Sequence, residues 1–248
     1  MSKKIVLAID LDEVIRSKWL QFDRFYAQEF GEEGIKMPFD TYDLRNHYEF
    51  NDRTDIVNYL NEDLPDDISP IEYMLDENGN APVDHDAFRK KEEKMTADEA
   101  FNKFLYEDFL VEIFGTAPPL YRGLDLHLRE FTQEFDQYVE IAIFSKEQNP
   151  SISPTLFFLS KLRPTVRTYF FPKTNEEVWE KADIVITTDP EIIKIAPNNK
   201  MIIVLDRPHN AGLDCDYSAL NFIDLIKNNE FRSEIGAPAY VEKESTTE

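Results

Sequence analysis

One short stretch near the N-terminus limits what this chain can become. Ile5-Val6-Leu7-Ala8-Ile9 is unbrokenly apolar and runs directly into Asp10-Leu11-Asp12. An apolar run this short, rich in β-branched residues, reads as a strand buried on both faces, the habit of parallel sheets. Open α/β sheets bind their ligands at the C-terminal ends of such strands. Side chains two apart on extended chain share a face, so Asp10 and Asp12 are expected to point the same way. Two carboxylates held that close repel unless one meets a proton, a cation or a basic partner.

The chain that follows alternates between helical and strand-like patterns, with one interruption. Trp19, Leu20, Phe22, Phe25, Tyr26 and Phe30 recur at helical spacing and predict a helix from near Ser17 to Gly31. From about 32 to 119 no strand resembles the first. Residues 51–60 read as helical, and Arg89-Lys90-Lys91-Glu92-Glu93-Lys94 as a solvated helix face. Residues 64–86 are loop-rich, with Ser69–Leu75 as a short element. Thr96–Phe114 has a strong helical repeat that Gly115 and Pro118-Pro119 stop. Beyond Pro119 the rhythm returns. Helices are expected over 124–135, 153–162, 175–182 (capped by Asn175) and 217–228, with a brief one after Pro190. Strands are expected over 139–144, 166–171, 183–187 and 200–206, and a frayed polar tail from Ser233. This pattern predicts an α/β fold, a Rossmann-like parallel sheet with helices on both faces. The core is assigned to 1–20 and 119–232, a mainly helical insertion to 21–118 and the tail to 233–248.

Charge and cysteine content narrow the partners. The 248 residues carry 27 basic and 49 acidic side chains, a formal net charge of −22, which argues against duplex nucleic acid and anionic membranes as partners. A small phosphorylated ligand needs only a local cluster of cations and amides. The single cysteine, Cys215, excludes an internal disulfide and a Cys-rich zinc site, and is expected to be a buried inert thiol. The apolar run after Lys3-Lys4 is too short for a signal peptide, and no stretch is long enough to span a bilayer, so a cytoplasmic protein is expected.

If the predicted strands are parallel, their C-terminal ends gather one set of groups. The first brings Asp10 and Asp12, the second Ser145 and Lys146, and the third leads to Lys173. The fourth brings Thr187, Thr188 and Asp189, and the fifth Asp206 and Arg207. Such a set suits phosphoryl transfer. One carboxylate can attack phosphorus and a second can move the proton. Mg²⁺ takes carboxylate and carbonyl oxygens, while a hydroxyl and an ammonium hold phosphate oxygens. Arg16, just after the first loop, could reach the phosphate or the inserted segment, or be a surface charge. His47, His85, His127 and His209 lack paired metal spacing, and only His209 lies near the strand ends. With seven glycines in all, the chain has no glycine-rich phosphate loop.

In this order Asp10-Leu11-Asp12-Glu13-Val14, Ser145, Lys173 and Asp189 resemble the motifs of the haloacid dehalogenase-like (HAD) phosphatase superfamily. The likeness covers the α/β core, and the insertion stands where that superfamily carries a type-1 cap. Leu205-Asp206-Arg207-Pro208-His209-Asn210 is similar to a stretch of its 5'-deoxynucleotidase group. The resemblance implies Asp10 as nucleophile and Asp12 as general acid/base. It also implies the Ser145 hydroxyl on the phosphate with the Lys146 amide nearby, Lys173 as the phosphate-stabilising lysine, and Mg²⁺ on Asp10, the Asp12 carbonyl and Asp189. The expected activity is phosphomonoester hydrolysis on a small phosphorylated metabolite such as a deoxynucleoside monophosphate. Phe39, Tyr42, Tyr48 and Phe50 are candidates to stack on a base. Two positions depart from the pattern. Thr187-Thr188-Asp189-Pro190-Glu191 stands where two acidic residues are usual, and Glu13 where the nucleotidase group has a glycine. A binding or regulatory protein with a weakened metal site is the alternative.

Overall fold

A computed structural model describes residues 4–31, 42, 48, 50, 53–60, 88–147 and 149–242, with 53–60 and 88–94 described by backbone alone. The chain divides into two compact units, residues 1–47 with 104–248, and residues 48–103.

The first unit is built on a six-stranded sheet. Its strands are β1 (Ile5–Asp10), β4 (Val139–Phe144), β5 (Thr168–Phe170), β6 (Ile184–Thr187), β7 (Met201–Leu205) and β8 (Tyr217–Ala219). They lie in the order β5-β4-β1-β6-β7-β8, and every neighbouring pair is parallel. The helices of this unit are α1 (Lys18–Phe30), α3 (Leu124–Phe135), α4 (Ile152–Leu162), α5 (Asn175–Lys181), α6 (Pro190–Lys194), α7 (Phe222–Lys227) and α8 (Asn229–Glu234). The period-two alternation of the strands sorts their side chains onto two cores. Leu7, Ile9, Ile184, Ile186, Ile203 and Leu205 pack with Phe131 and Phe135 of α3 and Phe222 of α7. Ala8, Val185, Ile202 and Val204 pack with Trp179 of α5 and Ile192 of α6. Helices therefore cover both faces, as the unbroken apolar strands require.

α1 ends where expected. Gly31 takes a left-handed conformation at φ 68° and its N–H reaches back to the Ala27 carbonyl at 3.0 Å. Chain 104–115, π-helical over Phe104–Asp108 and Val111–Gly115, packs with α1 inside the first unit. Gln21 donates to the Glu112 carbonyl and the Thr116 hydroxyl, and the Phe22 and Phe104 rings meet edge to face.

The second unit holds an antiparallel ribbon of β2 (Arg53–Leu60) and β3 (Phe88–Met95), followed by α2 (Ala97–Lys103). This corrects two expectations. Within the segment 51–60 expected to be helical, Arg53–Leu60 is a strand, and the charged run 89–94 is a strand, not a helix face. Lys and Glu favour helix only weakly, and continuous cross-strand pairing from Arg53↔Met95 to Leu60↔Phe88 outweighs that preference. α2 starts with a capping box: Glu99 N–H donates to Thr96 Oγ1 at 3.3 Å and Thr96 N–H to Glu99 Oε2 at 2.8 Å. Ser69–Leu75, His47, His85 and Phe39 lie outside the described residues.

Smaller departures have local causes. Thr174, not Asn175, caps α5, its hydroxyl accepting the Glu177 N–H. The last helix expected over 217–228 is split, because Tyr217–Ala219 pairs with β7 before Asn221 starts α7. The tail does not fray at Ser233. Ile235 and Ala237 are buried, and Tyr240 N–H donates to Asn229 Oδ1 at 2.7 Å. Cys215 is half-buried rather than buried, and its thiol is pushed up by burial and by Asp206, Asp214 and Asp216. Asn221 Oδ1 accepts both the Ile223 and Asp224 N–H groups, at 2.8 and 3.2 Å. Asn221→Ala should therefore cost about 1 kcal/mol. Thermal melts should show a drop of roughly 2–4 °C; an unchanged melting temperature would mean the cap adds nothing.

Candidate active site

The sheet order places β1 between β4 and β6, so residues leaving all three strands meet at one edge. Asp10 ends β1 opposite Phe144, whose next residues are Ser145 and Lys146, and Thr187 ends β6. Asp10, Asp12, Ser145, Thr187, Thr188 and Asp189 are all buried.

Each carboxylate has its own partner. Asp10 Oδ2 accepts the Thr187 hydroxyl at 2.6 Å, and Oδ1 accepts the Asp12 N–H at 3.3 Å. Asp12 Oδ1 accepts Arg16 Nε at 2.8 Å, and its Oδ2 accepts the Ser145 hydroxyl at 3.0 Å. Asp189 Oδ2 pairs with the Lys146 ammonium, which also donates to Asn175 Oδ1 at 2.6 Å. Asp189 Oδ1 accepts the Glu191 N–H at 2.8 Å, so the residue also caps α6.

These surroundings split the aspartate pair. Burial pushes Asp10 up from the usual 3.8 to about 8, against the Thr187 hydrogen bond and the Lys146 charge. Burial acts on Asp12 as well, but the charges of Arg16 and Lys18 and the Arg16 and Ser145 hydrogen bonds reverse it. Asp12 ends below the usual carboxylate range. Two adjacent carboxyls held apart in this way, one protonated and one ionised, are what acid–base chemistry needs.

A second tier surrounds the pair. Glu13 stands at φ 59°, a conformation that favours glycine. Its carboxylate accepts the Trp19 N–H at 2.9 Å, in the first turn of α1, where Ser17 makes no side-chain cap. Glu13 thus caps α1 from a distance, and burial pushes it up to about 7. The buried Lys18 pairs with Glu147, whose other oxygen accepts the Tyr106 hydroxyl at 2.8 Å. On the far side, the Tyr42 and His209 rings lie 5.4 Å apart. A His209 ring nitrogen sits 3.1 Å from the Thr188 carbonyl. Tyr42 is held well above its ordinary range, by burial first and then by Asp189, Asp10 and Asp12.

Among the expected residues, Asp10, Asp12, Ser145, Lys146 and Asp189 are brought together. Lys173 is exposed; its main-chain N–H donates to Glu177 Oε2, and its ammonium has no partner among the described residues. Arg16 is fully buried and turned onto Asp12, and its Nη1 donates to the Phe114 carbonyl and the Thr155 hydroxyl at 2.7 and 2.9 Å. Thr187 is expected at the strand end but with no role of its own; its hydroxyl is the hydrogen-bond partner of Asp10 Oδ2. Among the described residues no three His, Cys, Asp or Glu side chains gather as a metal-ligand set.

No protein-family model matches the chain, and no curated protein does. Solved structures resemble it in outline. A HAD-superfamily hydrolase of subfamily IA from Geobacter sulfurreducens aligns at 10% identity and TM-score 0.44, over 90% of this chain and 96% of its own. A HAD family hydrolase from Deinococcus radiodurans, with bound phosphate and sodium, aligns at 13% and 0.45, over 95% and 98%.

Proposed function

We propose that this chain is a cytoplasmic phosphomonoesterase that works through an aspartyl-phosphate on Asp10. Its substrate is a small phosphorylated metabolite such as a deoxynucleoside monophosphate. The observation that carries the reading is geometric: Asp10 and Asp12 are both buried at the C-terminal end of the central strand, with Ser145 on Asp12, Thr187 on Asp10 and the Lys146–Asp189 pair at the same sheet edge.

In the first step an Asp10 oxygen attacks phosphorus, the P–O ester bond breaks, and Asp12 gives its proton to the departing oxygen. In the second, Asp12 takes a proton from water, whose oxygen attacks the same phosphorus, and the phosphorus–Asp10 bond breaks to release phosphate. The resting site holds its proton on Asp10, and the first step needs it on Asp12. That transfer is a cost the first step carries, set by the difference between the two proton affinities. Ser145 and Lys146 are assigned to the phosphate oxygens, and the exposed Lys173 joins them when substrate binds. Arg16 orients Asp12.

The oxygen donors of Asp10, Asp189 and the Asp12 carbonyl suit Mg²⁺ by their chemistry. When bound there, it would offset phosphate charge. Tyr42 and His209, ring to ring beside Asp189, support a planar base as part of the substrate. A second reading, a binding or regulatory protein, draws on Thr187 and on the fact that all three aspartates are already partnered.

The test is phosphate release from purine and pyrimidine 5'- and 3'-monophosphates and sugar phosphates, with Mg²⁺ and with chelator. Turnover of at least one monophosphate is expected. Release from none under either condition would sink the phosphatase reading and leave the binding one.

A further inference from the structure

Lys146 follows Ser145 directly, yet its ammonium does not point away from the sheet edge. It closes on Asp189 Oδ2 and on Asn175 Oδ1, the latter at 2.6 Å. The Asp189 side chain is 2% exposed and that of Lys146 25%, so the pair sits at the inner end of the site with only the lysine reaching solvent. Three buried aspartates, Asp10, Asp12 and Asp189, lie at this sheet edge. Arg16 balances Asp12, Lys146 balances Asp189, and Asp10 receives a neutral hydroxyl from Thr187. The site is thus largely charge-compensated by its own side chains.

We propose that Lys146 is the built-in cation of this site, competing with divalent metal for Asp189 and serving as the anchor for a phosphate group when no metal is bound. The inference rests on the phosphatase reading for the identity of the ligand, but not for the competition itself. A divalent ion reaching Asp189 must displace an ammonium already hydrogen-bonded to it, or share the carboxylate with a like charge in a poorly screened place. Thr187 acts in the same direction. A hydroxyl in place of a carboxylate removes one negative ligand and donates to Asp10 an O–H that a metal would have to turn away. Asn175, at the first turn of α5, is the second acceptor that holds the ammonium in position. A lone lysine on a loop would lack it.

The experiment is calorimetric titration of the whole chain with Mg²⁺, and separately with inorganic phosphate in chelator. Wild type is compared with Lys146→Met, Lys146→Gln, Lys146→Arg and Asp189→Asn. Both neutral variants should bind Mg²⁺ at least tenfold more tightly than wild type, and bind phosphate in chelator at least tenfold more weakly. Lys146→Arg should stay near wild type in both titrations. Joining Lys146→Met to Asp189→Asn should cancel the gain in Mg²⁺ affinity. Unchanged or weaker Mg²⁺ binding in both neutral variants would overturn the proposal, as would phosphate binding indifferent to them. Should one neutral variant fail to fold, the other decides. Turnover on the monophosphate panel is scored separately. Metal competition without turnover removes the phosphatase reading and leaves the competition standing, and turnover without competition does the reverse.

Discussion

Asp10→Asn is expected to abolish turnover and at the same time to make the protein harder to melt at pH 8. An amide cannot form the acyl-phosphate bond, so the loss should be ~10⁴-fold or more. The stability gain follows from the proton. Asp10 is raised from 3.8 to about 8 in the folded chain, so the folded state binds this proton far more tightly than the unfolded one. The resulting stabilisation is complete below about pH 4 and is lost as pH rises through about 8. Asparagine is never ionised and escapes that loss. Its carbonyl can still accept the Thr187 hydroxyl, and the 3.3 Å bond from the Asp12 N–H is the contact at risk. A gain on the order of 2 kcal/mol at pH 8 is expected, shrinking toward zero near pH 4.

For a chain of this size that gain is roughly 4–8 °C in melting temperature. Glu13, raised to about 7 by burial, works in the same direction and over an overlapping range. Wild type should therefore lose stability between pH 5 and 8, and Glu13→Gln should recover part of it. Melting curves at pH 4, 6 and 8 decide the matter. A variant that melts lower than wild type at pH 8, or whose difference does not depend on pH, would show that Asp10 is not a buried, proton-holding carboxyl. Because the first step uses this one proton on Asp12, kcat/KM in chelator should stay level below about pH 8 and fall above it, as the pair loses the proton.

Much of the fold was legible because parallel sheets leave a plain signature. Ile5–Ile9, Val139–Phe144 and Met201–Leu205 are apolar at nearly every position, since both faces are covered, and the Asp10-Leu11-Asp12 turn-off marks where the first strand stops. The ribbon of β2 and β3 was hidden. Arg89–Lys94 is charged throughout, and nothing local shows that it will pair with a segment some thirty residues earlier. Side-chain direction was hidden as well. Arg16 follows the first loop and Lys146 follows Ser145, and the sequence made each a candidate for phosphate, Lys146 through its main-chain amide. Only the packing shows that Arg16 is sealed between the Phe114 and Phe158 rings, 5.2 and 5.6 Å from their centres, while Lys146 crosses to Asp189. Glu13 shows the reverse case. Its departure from glycine reads in sequence as a misplaced charge, and the structure makes it the remote cap of α1.

The Arg16 contacts carry the other large effect. Its guanidinium is fully buried and donates to Asp12, to the Phe114 carbonyl and to Thr155. Arg16→Met keeps much of the apolar volume but leaves a buried carboxylate, a carbonyl and a hydroxyl without their donor. Removing one partner of a buried pair typically costs about 3–5 kcal/mol, because the remaining charge stays desolvated. A fall of roughly 10 °C in melting temperature should follow. Asp12 should respond in its own way. Burial, the largest influence on it, would no longer be opposed by the guanidinium, so its proton affinity should rise, and turnover should fall because the contact that orients Asp12 is gone. The double variant Arg16→Met with Asp12→Asn separates the two contributions. If the pair is the main effect, Arg16→Met should cost clearly less stability in the Asp12→Asn background than in wild type. Equal costs in the two backgrounds would mean that Arg16 supports Phe114 and Thr155 alone, and its role as the residue that orients Asp12 would be lost.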